Sequence, residues 1–340
     1  MSSVPSSSAS TNGIVTHSNG SSSHGEISTT ESSFDPNNIA SSPSSSTYPV
    51  NGFSQLPYQN SHNEEIVSHL YHAGFQTGNY SDTILHVHQN VYRLHAIILS
   101  RSPLLAHLMS TSPQTGGQRV IYVNLDQEPE VTQEGFAIAL GYLYSAVSLN
   151  LIRPENARAV LAAACYLGGM DDMCQYAYNV CRQSLSVETI GTWLEFVDPA
   201  RSTTPDQAPT TVFGQYAQRL RDDVFHFLVV TLPEVLEVQR PQDPSSGTNG
   251  RDVLLQIYSG VPFEMFKSAV ESPTFMIGTD RDRFKFAKDA IELRKRGIAR
   301  GLEETVVLAF GQGGNGGGSG GSAVHVTRKM RKRALWKVNS

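Results

Sequence analysis

The chain has 340 residues with 26 Lys and Arg against 31 Asp and Glu, a formal charge of −5. That mild acidity argues against a protein built mainly to bind nucleic acid, and no run approaches the roughly 20 apolar residues of a membrane span. No basic-then-apolar leader opens the sequence, and three cysteines, Cys165, Cys174 and Cys181, are too few for a disulfide framework. Reduced core thiols follow, and with them an intracellular setting, cytoplasm or nucleus.

Residues 1–60 are expected to be a disordered, Ser-rich segment. Residues 1–50 hold 18 Ser and only three charged residues, Glu26, Glu31 and Asp35. Such a stretch cannot bury enough apolar area to offset its ordering entropy. Ordered sequence begins near Glu64. Ile66, Val67 and Leu70 recur at helical spacing and stop near Gly74, a C-cap. In 81–99, Ile84, His86 and His88 share one face of a strand and Leu85 and Val87 the other. Gln89-Asn90 turns the chain back into Val91–Leu94, a hairpin. Ser102-Pro103 starts a helix: the hydroxyl accepts from an orphan N–H, and proline at the first position lacks one. Leu104, Leu105, Leu108 and Met109 give that helix an apolar side.

Residues 112–118 are expected to be a loop, and Val120–Leu125 a buried strand. Thr132 caps a helix with Phe136, Leu140, Leu143 and Tyr144 on one stripe. Two more helices follow, one ending at Gly168-Gly169 and one carrying Met173, Ala177, Val180 and Cys181. From Ser186 on, every ordered segment looks helical: Val187–Val197, Val212–Phe227, Val253–Ile257, Phe263–Val270 and a basic helix near 281–300. Residues 311–322, GQGGNGGGSGGS, are a flexible linker by composition.

The order of these elements resembles a BTB/POZ domain over 64–182. The residues that carry the resemblance are Ser81-Asp82, Ile84–Val87, Tyr92, Leu94-His95, Ile98-Leu99 and Ser102-Pro103, then Val120–Leu125, Phe136–Tyr144 and the Ala-rich pair of helices 157–181. Residues 183–310 resemble the helical BACK-like extension that often follows such a domain, and the Ser-rich flank is similar to that of fungal BTB proteins. The resemblance implies an α+β fold, helices around a small mixed sheet followed by an all-helical extension. It implies Asp82 and His95 as structural residues of the BTB motif. It implies no catalysis and no cofactor. The partners it implies are a second copy of the chain, or a cullin scaffold that would make it the substrate receptor of a ubiquitin ligase.

Two departures bear on those partners. Self-associating members often place an arginine after the histidine, where this chain has Ala96. Cullin-binding members often carry a hydrophobic-x-Glu triplet after the Ser-Pro helix, and Leu108–Ser112 holds no acid. The candidate contact elements are the helix from about 64 to 74, the helix Ser102–Met109 with Leu104, Leu105, Leu108 and Met109, and the 110–118 loop.

Other chemistries lack support. His86 and His88 point one way as a metal pair would, but the cysteines begin only at 165. There is no Gly-x-Ser-x-Gly elbow, and the glycine run has no following Lys-Ser/Thr. The basic tail 311–340 carries Arg328, Lys329, Arg331, Lys332 and Arg333 beyond a glycine tether, with Trp336 and Lys337 close by. Displayed there, it is a nuclear import signal, a patch for phosphate backbones or acidic surfaces, or a solvated tail without a partner.

Overall fold

The computed structural model describes residues 57–198, 211–239, 249–299, 301–309 and 324–331. All of them belong to one compact unit, Gln55–Ser340. Of the segment 1–60 expected to be disordered, residues 1–56 lie outside the described residues, as does the glycine linker 311–322, and its end, 57–60, is helical. There helix α1 spans Pro57–His69, beginning earlier than Glu64, and continues as a π-helical turn, Leu70–Gln76.

Four strands form the first sheet in the order β2-β1-β4-β3. β1 (Thr83–Val87) pairs antiparallel with β2 (Asn90–Leu94) and parallel with β4 (Gln118–Val123). The hairpin turns at His88, whose φ of 51° is left-handed, one residue earlier than its sequence suggests. The expected loop 112–118 contains a short strand, β3 (Gln114–Thr115), paired with β4 around Gly116-Gly117. Both glycines have positive φ, 64° and 84°, the geometry a tight two-residue hairpin needs. Leu85, Val87, Ile121 and Val123 face inward along alternate strand positions.

Five helices follow, α2 (Ala96–Leu99), α3 (Pro103–Thr111), α4 (Gln133–Tyr144), α5 (Ala157–Leu167) and α6 (Asp171–Gln183); α3 packs against β4, α5 packs on α3, α4 and α6, and α2 packs on α3 and α4. Ser102 caps α3 with its Oγ, which accepts from the Leu105 N–H at 3.3 Å and donates to the Leu167 carbonyl at 2.5 Å. One buried hydroxyl thus ties the start of α3 to the end of α5. Gly169 (φ 72°) has no Cβ to collide with the Arg101 carbonyl, which lets that turn close. Ser102→Ala is therefore expected to cost about 1–3 kcal/mol, by lost capping and a stranded carbonyl, measured by urea unfolding.

The chain continues through α7 (Ile190–Val197), α8 (Gln215–His226), a π-helical turn Phe227–Thr231, α9 (Leu232–Val235), α10 (Gly250–Gly260), α11 (Phe263–Glu271) and α12 (Asp280–Arg294). Thr279 and Asp282 form a reciprocal capping box at the start of α12. The α+β class with a helical extension holds, with one correction. The extension is not helical throughout: β5 (Leu302–Leu308) and β6 (Val324–Met330) form an antiparallel hairpin. Its inner face is built from Glu304, Val306, Val324 and Val326, each of which is buried or packs against the core. No helix among the described residues is long and apolar enough to cross a membrane.

Candidate protein-contact surface

Asp82 and His95 stand at the junction of the first sheet and α2. The Asp82 carboxylate accepts from the Ala96 N–H at 2.7 Å and from the Thr83 hydroxyl at 3.0 Å. The acid thus serves as a cap on α2. His95 is held from three directions. Its N–H donates to Tyr144 Oη at 2.9 Å, its Nδ1 meets the same hydroxyl at 3.0 Å, and its Nε2 meets the Asn79 carbonyl at 2.8 Å. Burial pushes the Tyr144 phenol well above its ordinary range, so at neutral pH it is a permanent donor and acceptor. Tyr144 was visible in the sequence only as a core residue of α4. Its pairing with His95 spans 49 positions, and no local pattern announces it.

The four leucine and methionine positions of α3 divide. Leu105 and Met109 are buried in the core, while Leu104 and Leu108 are partly buried and packed against it. What α3 can offer a partner is therefore Leu104 and Leu108. The helix period explains the split: positions four apart share a face, and the 105/109 pair takes the inner one.

Larger apolar groups lie elsewhere at the surface. Ile66 and Val67 on α1 are 46% and 38% exposed, Tyr80 is 93% exposed and Ile97 on α2 is 78% exposed. Tyr80 also has a φ of 61°, a conformation that a bulky residue rarely adopts. It is held there by its neighbours: the Asn79 carbonyl accepts from the His95 ring, and the Asn79 N–H bonds the Ala73 carbonyl. On the outward side of the sheet, His86 stacks on exposed Tyr122 with ring centroids 4.8 Å apart and lies opposite exposed Val91. His88 faces Asp126 at 3.5 Å. Tyr71 and Phe75 line a groove of about 410 Å³ with Ile138, Leu151 and Arg153.

No protein-family model matches the chain. It is 28% identical over 283 residues to BTB/POZ domain-containing protein 2 of Schizosaccharomyces pombe, covering 81% of this chain and 92% of that protein. The chain is similar to BTB/POZ proteins. A second similarity, 28% over 123 residues, is to human Germ cell-less protein-like 2, covering 36% of this chain and 22% of that protein. The longer match is to a fungal protein. In general terms the likeness supports a protein–protein interaction module.

Of the C-terminal cations expected to be displayed in solvent, Arg328 is placed otherwise. Arg328 and Lys329 lie within β6, opposite Glu304 and Glu303, and Arg331 directly follows the strand. Arg328 Nη2 donates to Glu304 Oε1 at 2.6 Å, and its guanidinium sits 4.2 Å from the centre of the Phe263 ring. Glu304 also accepts from Arg294 Nε at 2.8 Å, and Arg294 Nη1 donates to the Val261 carbonyl at 2.6 Å. Arg328 is thus part of the fold, because the strand register sets it across from a buried carboxylate. Lys329 and Arg331 are exposed. Lys332, Arg333, Trp336 and Lys337 lie outside the described residues. Glu304 and Arg294 escaped sequence reasoning. A signal existed in the alternation of Val324, Val326 and Arg328 with His325, Thr327 and Lys329, set against Glu304 and Val306 across the glycine run.

Proposed function

We propose that the chain is a non-enzymatic, regulatory protein–protein interaction module, with residues 64–182 making the contact and 183–310 extending it. The observation that carries this reading is the set of large apolar side chains left at the surface, Ile66 and Val67 on α1 with Tyr80 and Ile97 near the Asp82–His95 junction. Leu104 and Leu108 would add the flank of α3. A specific interface of this kind buries more than about 1,000 Å², and these side chains supply apolar anchors for it. The partner favoured is a second copy of the chain, since the stretch after Met109 lacks the acid typical of cullin-binding relatives. Three thiols without a disulfide fit an intracellular setting, cytoplasm or nucleus.

Light scattering on the full chain is expected to give a dimer mass. Ile66→Asp with Val67→Asp should weaken association by about tenfold or more, with the fold retained by circular dichroism. Titrating the same sample with a cullin N-terminal domain separates the alternatives: micromolar binding would make the protein a ligase adaptor. A monomer that binds no cullin would overturn the proposal. A role for the basic tail in nuclear import or nucleic-acid contact rests on Lys329, Arg331, Lys332 and Arg333. Its test is deletion of 332–340, because a cut at 323 would also remove β6.

A further inference from the structure

We propose that Cys165 and Cys174 form a redox-modification site, a dithiol that a hydroperoxide converts to a disulfide across the α5–α6 hairpin. The chain has three cysteines, and these two bring their sulfurs to 3.8 Å. Cys165 lies near the end of α5 and Cys174 in the first turns of α6, joined by the turn at Gly168 and Gly169 with φ of 70° and 72°. A disulfide spans about 2.05 Å, so closure asks the two sulfurs to approach by about 2 Å.

The two thiols are not equivalent. Cys165 is half-buried and Cys174 is buried. The two sulfurs share a hydrogen bond in which either can donate. Cys165, the one a hydroperoxide can reach from solvent, is therefore the attacking sulfur and Cys174 the resolving one. The third cysteine is the internal contrast. Cys181 is buried, and burial pushes its thiol up to about 12.

The chemistry balances in two steps. The Cys165 thiolate attacks the terminal oxygen of the hydroperoxide, forming an S–O bond as the O–O bond breaks. The departing alkoxide takes the proton that Cys165 released and leaves as an alcohol, or as water from hydrogen peroxide. The Cys174 sulfur then attacks the sulfenic sulfur. The S–S bond forms, the S–O bond breaks, and hydroxide leaves with the Cys174 proton as water. Two thiols lose two electrons to the hydroperoxide. The Cys165 sulfur also faces the Phe213 carbonyl at 3.8 Å, so the disulfide would form directly under the segment that leads into α8. The modification would thus bear on the contact between the closing hairpin of the first region and the helical extension.

The test treats the reduced full chain with hydrogen peroxide, blocks remaining thiols with N-ethylmaleimide and maps the peptides. The expected result is loss of two alkylatable thiols, a Cys165–Cys174 crosslinked peptide, an alkylated Cys181, and full recovery with dithiothreitol. Cys181→Ser should crosslink as before, and Cys165→Ser should not crosslink. Three alkylated thiols after peroxide would overturn the proposal. So would sulfinic acid on Cys165 without a crosslink, or a disulfide between two chains. The map of the unaltered chain decides the matter even where a variant fails to fold.

Discussion

Glu304→Ala is expected to destabilise the chain by about 3–5 kcal/mol, the cost of stranding a buried charge whose partner has been removed. The Glu304 side chain is 0% exposed, and that of Arg294 is 6% exposed. Without the carboxylate, Arg294 would keep only carbonyl acceptors, those of Tyr258, Ser259 and Val261. The β5–β6 hairpin would also lose its tie to α12. Arg328→Ala should cost far less, about 1 kcal/mol, because its side chain is 33% exposed and the arginine can be solvated in the reference state.

The same carboxylate sets an acid sensitivity. Burial alone would raise its pKa, but the hydrogen bonds and charges of Arg294 and Arg328 together hold it below the ordinary 4.5. A carboxylate with a depressed folded-state pKa contributes stability that is fully present above the unfolded value. That contribution is lost as pH falls through the folded value. The stability gap between the unaltered chain and Glu304→Gln should therefore be widest near neutral pH and shrink as pH drops below 4.5. Urea titrations of both proteins across that range measure it. A gap that does not change with pH would mean that Glu304 titrates alike in the folded and unfolded chain, and one that narrows as pH rises through 4.5 would mean that it is not ionised in the fold.

Tyr258→Ala is expected to cost about 3–5 kcal/mol by opening a cavity at the centre of the helical extension. Tyr258 is fully buried, stacks on Phe275 at 5.2 Å, and meets Phe286 edge-on at 5.1 Å and Phe266 at 6.3 Å. These rings come from α10, α11, α12 and the loop between the last two, so one side chain joins most of the C-terminal packing. Tyr258→Phe separates its two contributions. It keeps the ring and removes only the hydrogen bond from Oη to the Leu228 carbonyl, 3.0 Å, and should cost about 1–3 kcal/mol. Equal losses from the two variants in thermal unfolding would show that the hydrogen bond, and not packing, dominates.

The elements of the first region were legible because local chemistry specifies them. Ser102-Pro103 and Thr132 cap helices with their own hydroxyls, and the stripe from Phe136 to Tyr144 needs only its period to be read. The alternation around Leu85 and Val87 likewise names a strand and its inner face. The two terminal strands were missed because their pairing partners lie on either side of a glycine run and β5 follows directly on a basic helix. A short strand gains most of its stability from the partner and from the surface it covers, so its own residues announce it weakly.

The contact surface was legible only in part, for the same reason. The sequence determined that α3 carries four large apolar residues, that α1 carries Ile66 and Val67, and that a dense group of cations closes the chain. Only the tertiary structure decided which of these face solvent. Leu105 and Met109 went to the core, whereas Ile66 and Val67 did not. Arg328 was drawn into the fold by Glu304, and Asp82 found the Ala96 backbone in place of a cation. Amphipathic spacing states that a helix has an apolar side. Whether that side is covered depends on elements tens of residues away, and their approach is set by packing and by buried charge.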